Sequence, residues 1–154
     1  MIALDQLRCS IYVEAPLPVE ALARCLAARI QAVNEPGPIY AVLRLPTVEV
    51  EIRANEDASA DSARGFPDGF VYFRYKLEVF VDPEANRGEH VPLVADVLRQ
   101  CWENGWPAVA ACGFEEELPE RGGYKCQTIP WPGARPLNYV VPPHPVATNQ
   151  LMPK

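Results

Sequence analysis

Residues 71–81 read VYFRYKLEVFV, with apolar side chains at the odd positions and mostly polar ones at the even positions. A period of two places successive side chains on opposite faces of an extended chain, so this stretch predicts the longest strand of a half-buried sheet. We expect its odd-numbered residues to face the core, with Tyr72 and Arg74 on the opposite, open face. The sequence FPDG at 66–69 predicts a turn before the strand, and Asp82-Pro83 ends it.

Working outward, residues 7–14 and 48–53 show the same alternation, and the small apolar residues 108–112 predict a fourth strand. Residues 40–45 are apolar but short, and a proline interrupts them. Apolar residues recur at helical spacing over 18–33 and 91–102, with Pro92 placed in a first turn. The order is strand, helix, strand, strand, helix, strand. It predicts an α+β ferredoxin-like βαββαβ sandwich, in which an antiparallel sheet carries two helices on one face.

The open face of this sheet is predicted to carry mixed charges. Glutamates and arginines alternate with apolar residues along the predicted strands, so cross-strand ion pairs are expected to hold the face together. The first and third strands are central neighbours in this arrangement, which is expected to bring Tyr12 near Tyr72. Apolar residues of the C-terminal segment are expected to lie across part of the face.

A change of composition at residue 119 divides the chain into a domain (1–118) and a proline-rich C-terminal extension (119–154). Eight of the seventeen prolines lie in the extension, where they exclude helix and favour extended backbone. Trp131, Leu137 and Tyr139 make it more apolar than a disordered tail. We expect an arm that packs on the domain or on a partner.

The overall charge limits the partners. Twenty acidic residues outnumber fourteen basic ones, and a net charge of −6 repels nucleic acids and anionic membranes but is compatible with a basic protein partner. Residues 1–8 do not resemble a signal peptide, and no stretch approaches the ~20 apolar residues that cross a bilayer. We therefore expect a cytoplasmic protein that binds neither nucleic acid nor membrane.

The cysteines agree with a reducing compartment. They are five in number, widely spaced and without a C-x-x-C pair, which argues against a disulfide framework and against a zinc site. The positions are Cys9, Cys25, Cys101, Cys112 and Cys126. We expect no metal and no cofactor.

Few residues are candidates for chemistry, because no phosphate-binding, dinucleotide-binding, zinc-protease or nucleophile-elbow motif is present. His90 or His144 could serve Cys112 as a base, but structural cysteine and exposed histidines are the favoured interpretation. The densest acidic run contains Glu115, Glu116, Glu117 and Glu120. Such a run can be simply solvated, can pair carboxylates for acid–base work, can recruit a hard cation, or can attract a basic protein.

Two stretches, FPDGFVYFRY (66–75) and WPAVAACGFEEELPERGGY (106–124), resemble a group of small bacterial proteins. Proteins of this size and build include immunity proteins that neutralise polymorphic toxins. The resemblance spans residues 7–124 by arrangement. It implies a stand-alone bacterial cytosolic domain that acts as an inhibitor or adaptor.

The leading hypothesis is thus a non-catalytic protein-binding domain, most concretely an immunity protein against a cognate toxin. The expected contact residues are Tyr72, Arg74, Glu115, Glu116 and Glu117. The rival is a small enzyme or small-molecule binder with a pocket between sheet and extension. For that rival, Cys112, His90 and Glu116 are the first residues to test. A homodimer through sheet faces or exchanged tails is a third possibility.

Overall fold

A computed structural model describes residues 7–133, which form a six-stranded antiparallel sheet with helices packed on it. The strands are β1 (Cys9–Val13), β2 (Val33–Glu35), β3 (Tyr40–Arg44), β4 (Val48–Ala54), β5 (Tyr75–Val81) and β6 (Ala108–Cys112). The helices are α1 (Val19–Ile30), the single-turn α2 (Ala60–Ala63) and α3 (His90–Glu103). Across the sheet, the strands follow the order β2-β3-β4-β5-β1-β6. No helix within residues 7–133 has both the length and the apolarity to span a membrane.

The α+β class with an antiparallel sheet is confirmed, whereas the βαββαβ order of elements is not. The four predicted strands correspond to β1, β4, β5 and β6, which are neighbours in the sheet. Two further strands, β2 and β3, extend it beyond β4. The predicted first helix runs too far, because Gln31 adopts a left-handed conformation (φ 59°) and ends α1 at Ile30. The short strand β2 then begins at Val33, inside the stretch predicted as helix.

Strand β5 begins at Tyr75 rather than at residue 71, so this part of the prediction is wrong. Residues Asp68–Tyr72 form a 3₁₀ turn instead. The cause is Asn55, whose buried side-chain amide donates to the carbonyl oxygens of Val71 (2.8 Å) and Phe73 (2.7 Å). These bonds satisfy backbone groups that a strand would offer to a neighbour, and they hold the segment in a turn.

The 3₁₀ turn also changes which aromatic ring meets Tyr12. Tyr72 lies on the turn and not on the sheet, so the expected approach of Tyr12 and Tyr72 is replaced by a contact with another residue of the turn. The ring of Phe70 lies 5.4 Å from that of Tyr12 in an edge-to-face arrangement. A turn that precedes a strand thus covers part of the open face.

The main core lies between the sheet and the two long helices. The helices place their apolar stripes on one face of the sheet, which carries odd-numbered side chains of β1, β3 and β5 and even-numbered ones of β4 and β6. Pro92 occupies the first turn of α3, as predicted. The largest side chains that are fully buried here include Ile11, Leu22, Leu26, Leu43, Ile52, Leu77, Val94 and Leu98.

A second, smaller core lies on the opposite face of the sheet. Val109 lies between two β6 residues that face the helices, so its side chain points to the open face, where it is 1% exposed. It packs with Phe73, Ala63 and Ile129. Trp131 covers this cluster, which confirms that part of the C-terminal segment lies across the face. The expected contacts of residues 137–141 fall outside the described residues.

The β6 edge of the sheet is covered by the glycine turn (Pro119–Gly123). Gly122 and Gly123 have φ values of +83° and +94°, and a Cβ atom on Gly123 would lie 2.9 Å from the carbonyl oxygen of Ala108. Only glycine permits both this backbone conformation and this approach. The indole of Trp102 donates to the same carbonyl at 3.0 Å. Residues 119–123 therefore pack directly on the domain.

Candidate functional site

The expected contact residues lie at two opposite ends of the sheet. The turn Glu115–Glu117 follows β6, at the end where Cys112 pairs with Cys9, whereas Tyr72 and Arg74 precede β5, at the end where Tyr75 pairs with Val13. Four residue steps of β1 separate the two ends, which is about 13 Å at ~3.3 Å per residue. The structure does not bring the five residues into one patch.

Arg74 has a local structural role. Its backbone N–H donates to the carboxylate of Glu14 at 2.8 Å, and its guanidinium donates to the carbonyl oxygen of Ala15 at 3.3 Å while lying over the ring of Tyr75. These contacts fix the start of β5 against the end of β1. Tyr72, on the neighbouring 3₁₀ turn, is 38% exposed, and Arg74 is exposed as well.

The acidic turn, Glu115–Glu117, borders a surface cavity of about 410 Å³ lined by residues 112–117. Glu115 is tied down, because its carboxylate accepts the backbone N–H of Cys112 at 3.0 Å. Glu116 and Glu117 are exposed, and within residues 7–133 neither side chain makes a hydrogen bond or a salt bridge. The turn thus presents two uncompensated carboxylates beside a concave surface.

Phe114 anchors the acidic turn in the main core. It is 3% exposed, and its ring meets that of His90 edge-on at 4.8 Å. His90 is itself only 3% exposed, with Nδ1 3.1 Å from the side-chain oxygen of Asn86, so the expectation of an exposed histidine is wrong. The reason is position: His90 begins α3 on the face that packs against the sheet. His90 and Cys112 do not hydrogen-bond each other in the described part of the chain.

Cys112 has the thiol of Cys9 as its closest chemical partner. The two residues are directly opposite each other on β1 and β6. The Cys9 thiol and the backbone N–H of Phe114 donate to the Cys112 sulfur and lower the pKa of Cys112, while burial and the nearby carboxylates act in the other direction. Donation to Cys112, together with burial, raises the pKa of Cys9.

The open face is a charge-paired surface, as predicted. Arg44 bonds Glu35 at 2.7 Å and also contacts Glu49, on the strands to either side of it. Two further pairs each lie within one strand, Arg53 with Glu51 on β4 and Lys76 with Glu78 on β5. Exposed pairs of this kind each contribute only about 0–1 kcal/mol to stability. Their main effect is to neutralise the face, which distinguishes it from the acidic turn.

A separate groove of about 620 Å³ lies on the helix side, between the C-terminal end of α1, the β3–β4 turn and the N-terminal end of α3. Leu45 and Leu93 contribute apolar surface, and Arg29, Glu89 and Asp96 contribute charge. Its size is typical of small-molecule sites.

The carboxylate of Glu89 in this groove accepts two hydrogen bonds. Its carboxylate accepts the backbone N–H of Arg87 at 2.9 Å and the hydroxyl of Thr47 at 3.4 Å. The hydrogen bond from Arg87 is the principal reason that the pKa of Glu89 lies below its ordinary value.

Sequence reasoning missed the Cys9–Cys112 pair, although a signal was present. Both cysteines lie in predicted strands, and the first and fourth strands are neighbours in the predicted sheet. The antiparallel arrangement of these two strands would have placed both thiols near the same end of the sheet, although the predicted strand ends do not give the register that sets them opposite each other. The groove on the helix side was missed for a different reason, because it depends on β3 and its turn, which the prediction did not include in the sheet.

Within residues 7–133, no three His, Cys, Asp or Glu side chains are grouped so that they could hold a metal ion. Comparison of the chain with protein-family models, with curated proteins and with solved structures gave no match.

Proposed function

We propose that this chain is a non-catalytic protein-binding domain of the bacterial cytoplasm that binds a basic protein partner through its acidic turn. The most concrete form of the proposal is an immunity protein that neutralises a cognate toxin. The observation that carries it is the pair of exposed carboxylates of Glu116 and Glu117, which make no ion pair within residues 7–133. The carboxylates of the open face, by contrast, are largely paired with basic side chains.

The rigidity of the acidic turn supports this proposal. Phe114 holds one end of the turn in the core, and Leu118, which is 4% exposed, holds the other. A rigid turn loses little conformational entropy when it binds, and its charge increases the rate of association with a basic surface. The net charge of −6 acts in the same direction over longer distances.

The side-chain partners support a binding role over a catalytic one. His90 is buried against Phe114 and hydrogen-bonded to Asn86, and the free thiol of Cys112 has the thiol of Cys9 as its hydrogen-bond partner. A nucleophile and its base would have to contact each other. Tyr72 and Arg74 form the second part of the proposed contact, at the opposite end of the sheet.

Charge reversal with a matched control tests the proposal. The double variant Glu116→Lys/Glu117→Lys reverses the acidic turn. Glu56→Lys/Asp57→Lys makes the same change in charge at two consecutive exposed residues after β4, at the other end of the sheet. Affinity capture from cells of the organism that encodes the chain, followed by quantitative mass spectrometry, compares both with the unaltered protein.

We expect a basic protein to be captured by the unaltered chain and by the Glu56/Asp57 variant, and to be lost with the Glu116/Glu117 variant. Rising salt should reduce the capture, because rim charges act mainly on association. Equal capture by all three proteins would refute a role for the acidic turn. If the captured protein does not arrest growth when expressed without this chain, the immunity form of the proposal fails and the binding form stands.

A second candidate function is small-molecule binding, which the 620 Å³ groove favours. This site differs from the expected pocket between sheet and extension, where the described residues of the extension pack Ile129 and Trp131 against the sheet. The test is a thermal-shift screen of cytosolic metabolites, with Leu45→Glu, at a partly buried residue of the lining, to fill and charge the groove. A ligand whose stabilisation survives that variant does not bind there.

A further inference from the structure

The backbone hydrogen bonds of β1 and β6 define the geometry of the two opposed cysteines. In an antiparallel pair, hydrogen-bonded and non-hydrogen-bonded positions alternate. Beyond the strand ends, the N–H of Glu14 donates to the carbonyl oxygen of Pro107 at 2.8 Å, which marks that position as hydrogen-bonded. Cys9 lies five residues before Glu14, and five is an odd number. The Cys9–Cys112 position is therefore non-hydrogen-bonded.

An independent contact agrees with this assignment. At a non-hydrogen-bonded position, the N–H of Cys112 must point away from β1. It does so and donates to the carboxylate of Glu115 at 3.0 Å. Opposed Cα atoms at such positions are about 4.5 Å apart, which lies within the range of ~4.4–6.8 Å that a disulfide spans. The two thiols can thus be joined with little movement of the backbone.

The two thiols differ in access and in ionisation. Cys9 is 3% exposed and its pKa is raised, so it remains protonated. Cys112 is half-buried, lines the 410 Å³ cavity, and has a lowered pKa because Cys9 and the N–H of Phe114 donate to its sulfur. A half-buried thiol with a lowered pKa, directly opposite a second thiol, is the arrangement of a peroxide-reactive cysteine and its resolving partner.

We propose that Cys112 is an oxidation site for hydroperoxides and that Cys9 is its resolving thiol. In the first step, the Cys112 sulfur attacks the terminal oxygen of the hydroperoxide. The O–O bond breaks, the cysteine becomes a sulfenic acid, and the leaving oxygen departs with a proton as water or an alcohol. In the second step, the Cys9 thiol gives its proton to the hydroxyl group of the sulfenic acid as its sulfur attacks the Cys112 sulfur, the S–O bond breaks, and water is released. Two thiols are oxidised to one disulfide as one hydroperoxide is reduced.

The remaining cysteines provide internal comparisons. Cys126 is half-buried, like Cys112, but its sulfur contacts Glu120 and Thr128 rather than a second thiol. The rate at which Cys126 is oxidised therefore shows how fast a half-buried thiol of this protein reacts when no second thiol contacts it. The proposal concerns the thiol pair only and is independent of whether the acidic turn binds a partner.

The experiment treats the full-length, reduced protein with hydrogen peroxide, blocks the remaining thiols with N-ethylmaleimide and maps them by mass spectrometry after proteolysis. We expect two of the five free thiols to be lost together, and one linked pair of peptides to contain Cys9 and Cys112. Oxidation of Cys126 at the same rate as Cys112, a different linked pair, or links between chains would each overturn the proposal.

Variants then separate the two steps. In Cys9→Ala the resolving thiol is missing, so the sulfenic acid should persist at Cys112 and react with dimedone. In Cys112→Ser, Cys9 should stay reduced. Cys126→Ser is the matched control and should leave the linked pair unchanged. Since Cys9 is buried, circular dichroism checks that its variant is folded. If it is not, the experiment on the unaltered chain decides the matter alone.

Discussion

Replacing Trp131 with alanine removes the side chain that fastens the C-terminal extension to the open face of the sheet. Its indole lies edge-on to Phe66 at 4.8 Å and to Phe73 at 5.3 Å, and its N–H donates to the carbonyl oxygen of Arg64 at 3.0 Å. Each aromatic contact is worth about 0.5–1.5 kcal/mol and the hydrogen bond about as much. We expect a loss of about 2–4 kcal/mol in the free energy of unfolding.

The assay is urea unfolding followed by far-ultraviolet circular dichroism, since loss of an indole alters fluorescence directly. With a denaturant slope of about 2 kcal/mol per molar, the midpoint of the alanine variant should fall by about 1–2 M. Trp131→Phe is the matched control. It keeps a ring against Phe66 and Phe73 but lacks the N–H, so a fall of only about 0.5 M is expected.

A midpoint for Trp131→Ala within about 0.2 M of the unaltered protein would refute the reasoning, because it would mean a change below ~0.5 kcal/mol. The extension would then contribute nothing to the second core. Equal losses in the alanine and phenylalanine variants would instead assign the whole effect to the hydrogen bond to Arg64.

Two further predictions concern the glycine turn and a buried tyrosine. Gly123→Ala should lower the free energy of unfolding by about 1–3 kcal/mol in urea, because the new methyl group would lie 2.9 Å from the oxygen of Ala108. Gly105→Ala, with a similar φ of +79° and nothing within 4 Å, should cost less, and an equal cost would show that strain alone is responsible. Burial raises the pKa of Tyr75, and the hydroxyl of this tyrosine donates to the backbone carbonyl of Leu17. The protonated side chain therefore contributes fully to the free energy of unfolding below pH ~10, and this contribution is lost as the pH rises through the raised pKa. Tyr75→Phe should therefore flatten the decline in stability at alkaline pH, and an unchanged slope would contradict this assignment.

The elements that the sequence predicts well are those whose pattern is local. Strand β6 (Ala108–Cys112) lies where its small apolar run predicts it, and α3 begins with Pro92 in its first turn. Alternation in β4 is equally clear, because one of its faces is core and the other is charged. β4 and α3 each bury a single face, so the periodicity of the sequence carries the information, whereas β6 is buried on both faces and is predicted by its short run of small apolar residues.

The start of β5 shows where local patterns fail. Alternation continues from residue 71 to residue 81, yet residues 68–72 form a turn because Asn55, sixteen residues away, binds two carbonyl groups of this segment. Phe73 is buried as predicted, but in the core on the opposite face. Periodicity predicts which side chains are buried, and not which layer buries them when both faces of a sheet carry a core.

The sequence predicted which residues of the candidate site are exposed and acidic, but it did not predict where they lie relative to one another. The acidic turn is visible as a run of glutamates, and its exposed carboxylates agree with the run. The acidic turn and Tyr72 lie at opposite ends of the sheet because of the directions in which β5 and β6 run. The composition of a sequence does not give these directions. Burial of His90 depends on Asn86 and Phe114, which approach it from two different parts of the chain.

The second core covers one part of the open face and leaves the other part exposed. Over β1 and β6, the rings of Phe70, Phe73 and Trp131 form an additional layer on the open face. A protein that binds there would contact these side chains and the extension rather than the strands. Over β3 and β4, the strand side chains themselves meet the solvent, and Tyr40 is 51% exposed there. Within residues 7–133, the part of the open face over β3 and β4 is the one where the strands themselves are exposed to another molecule.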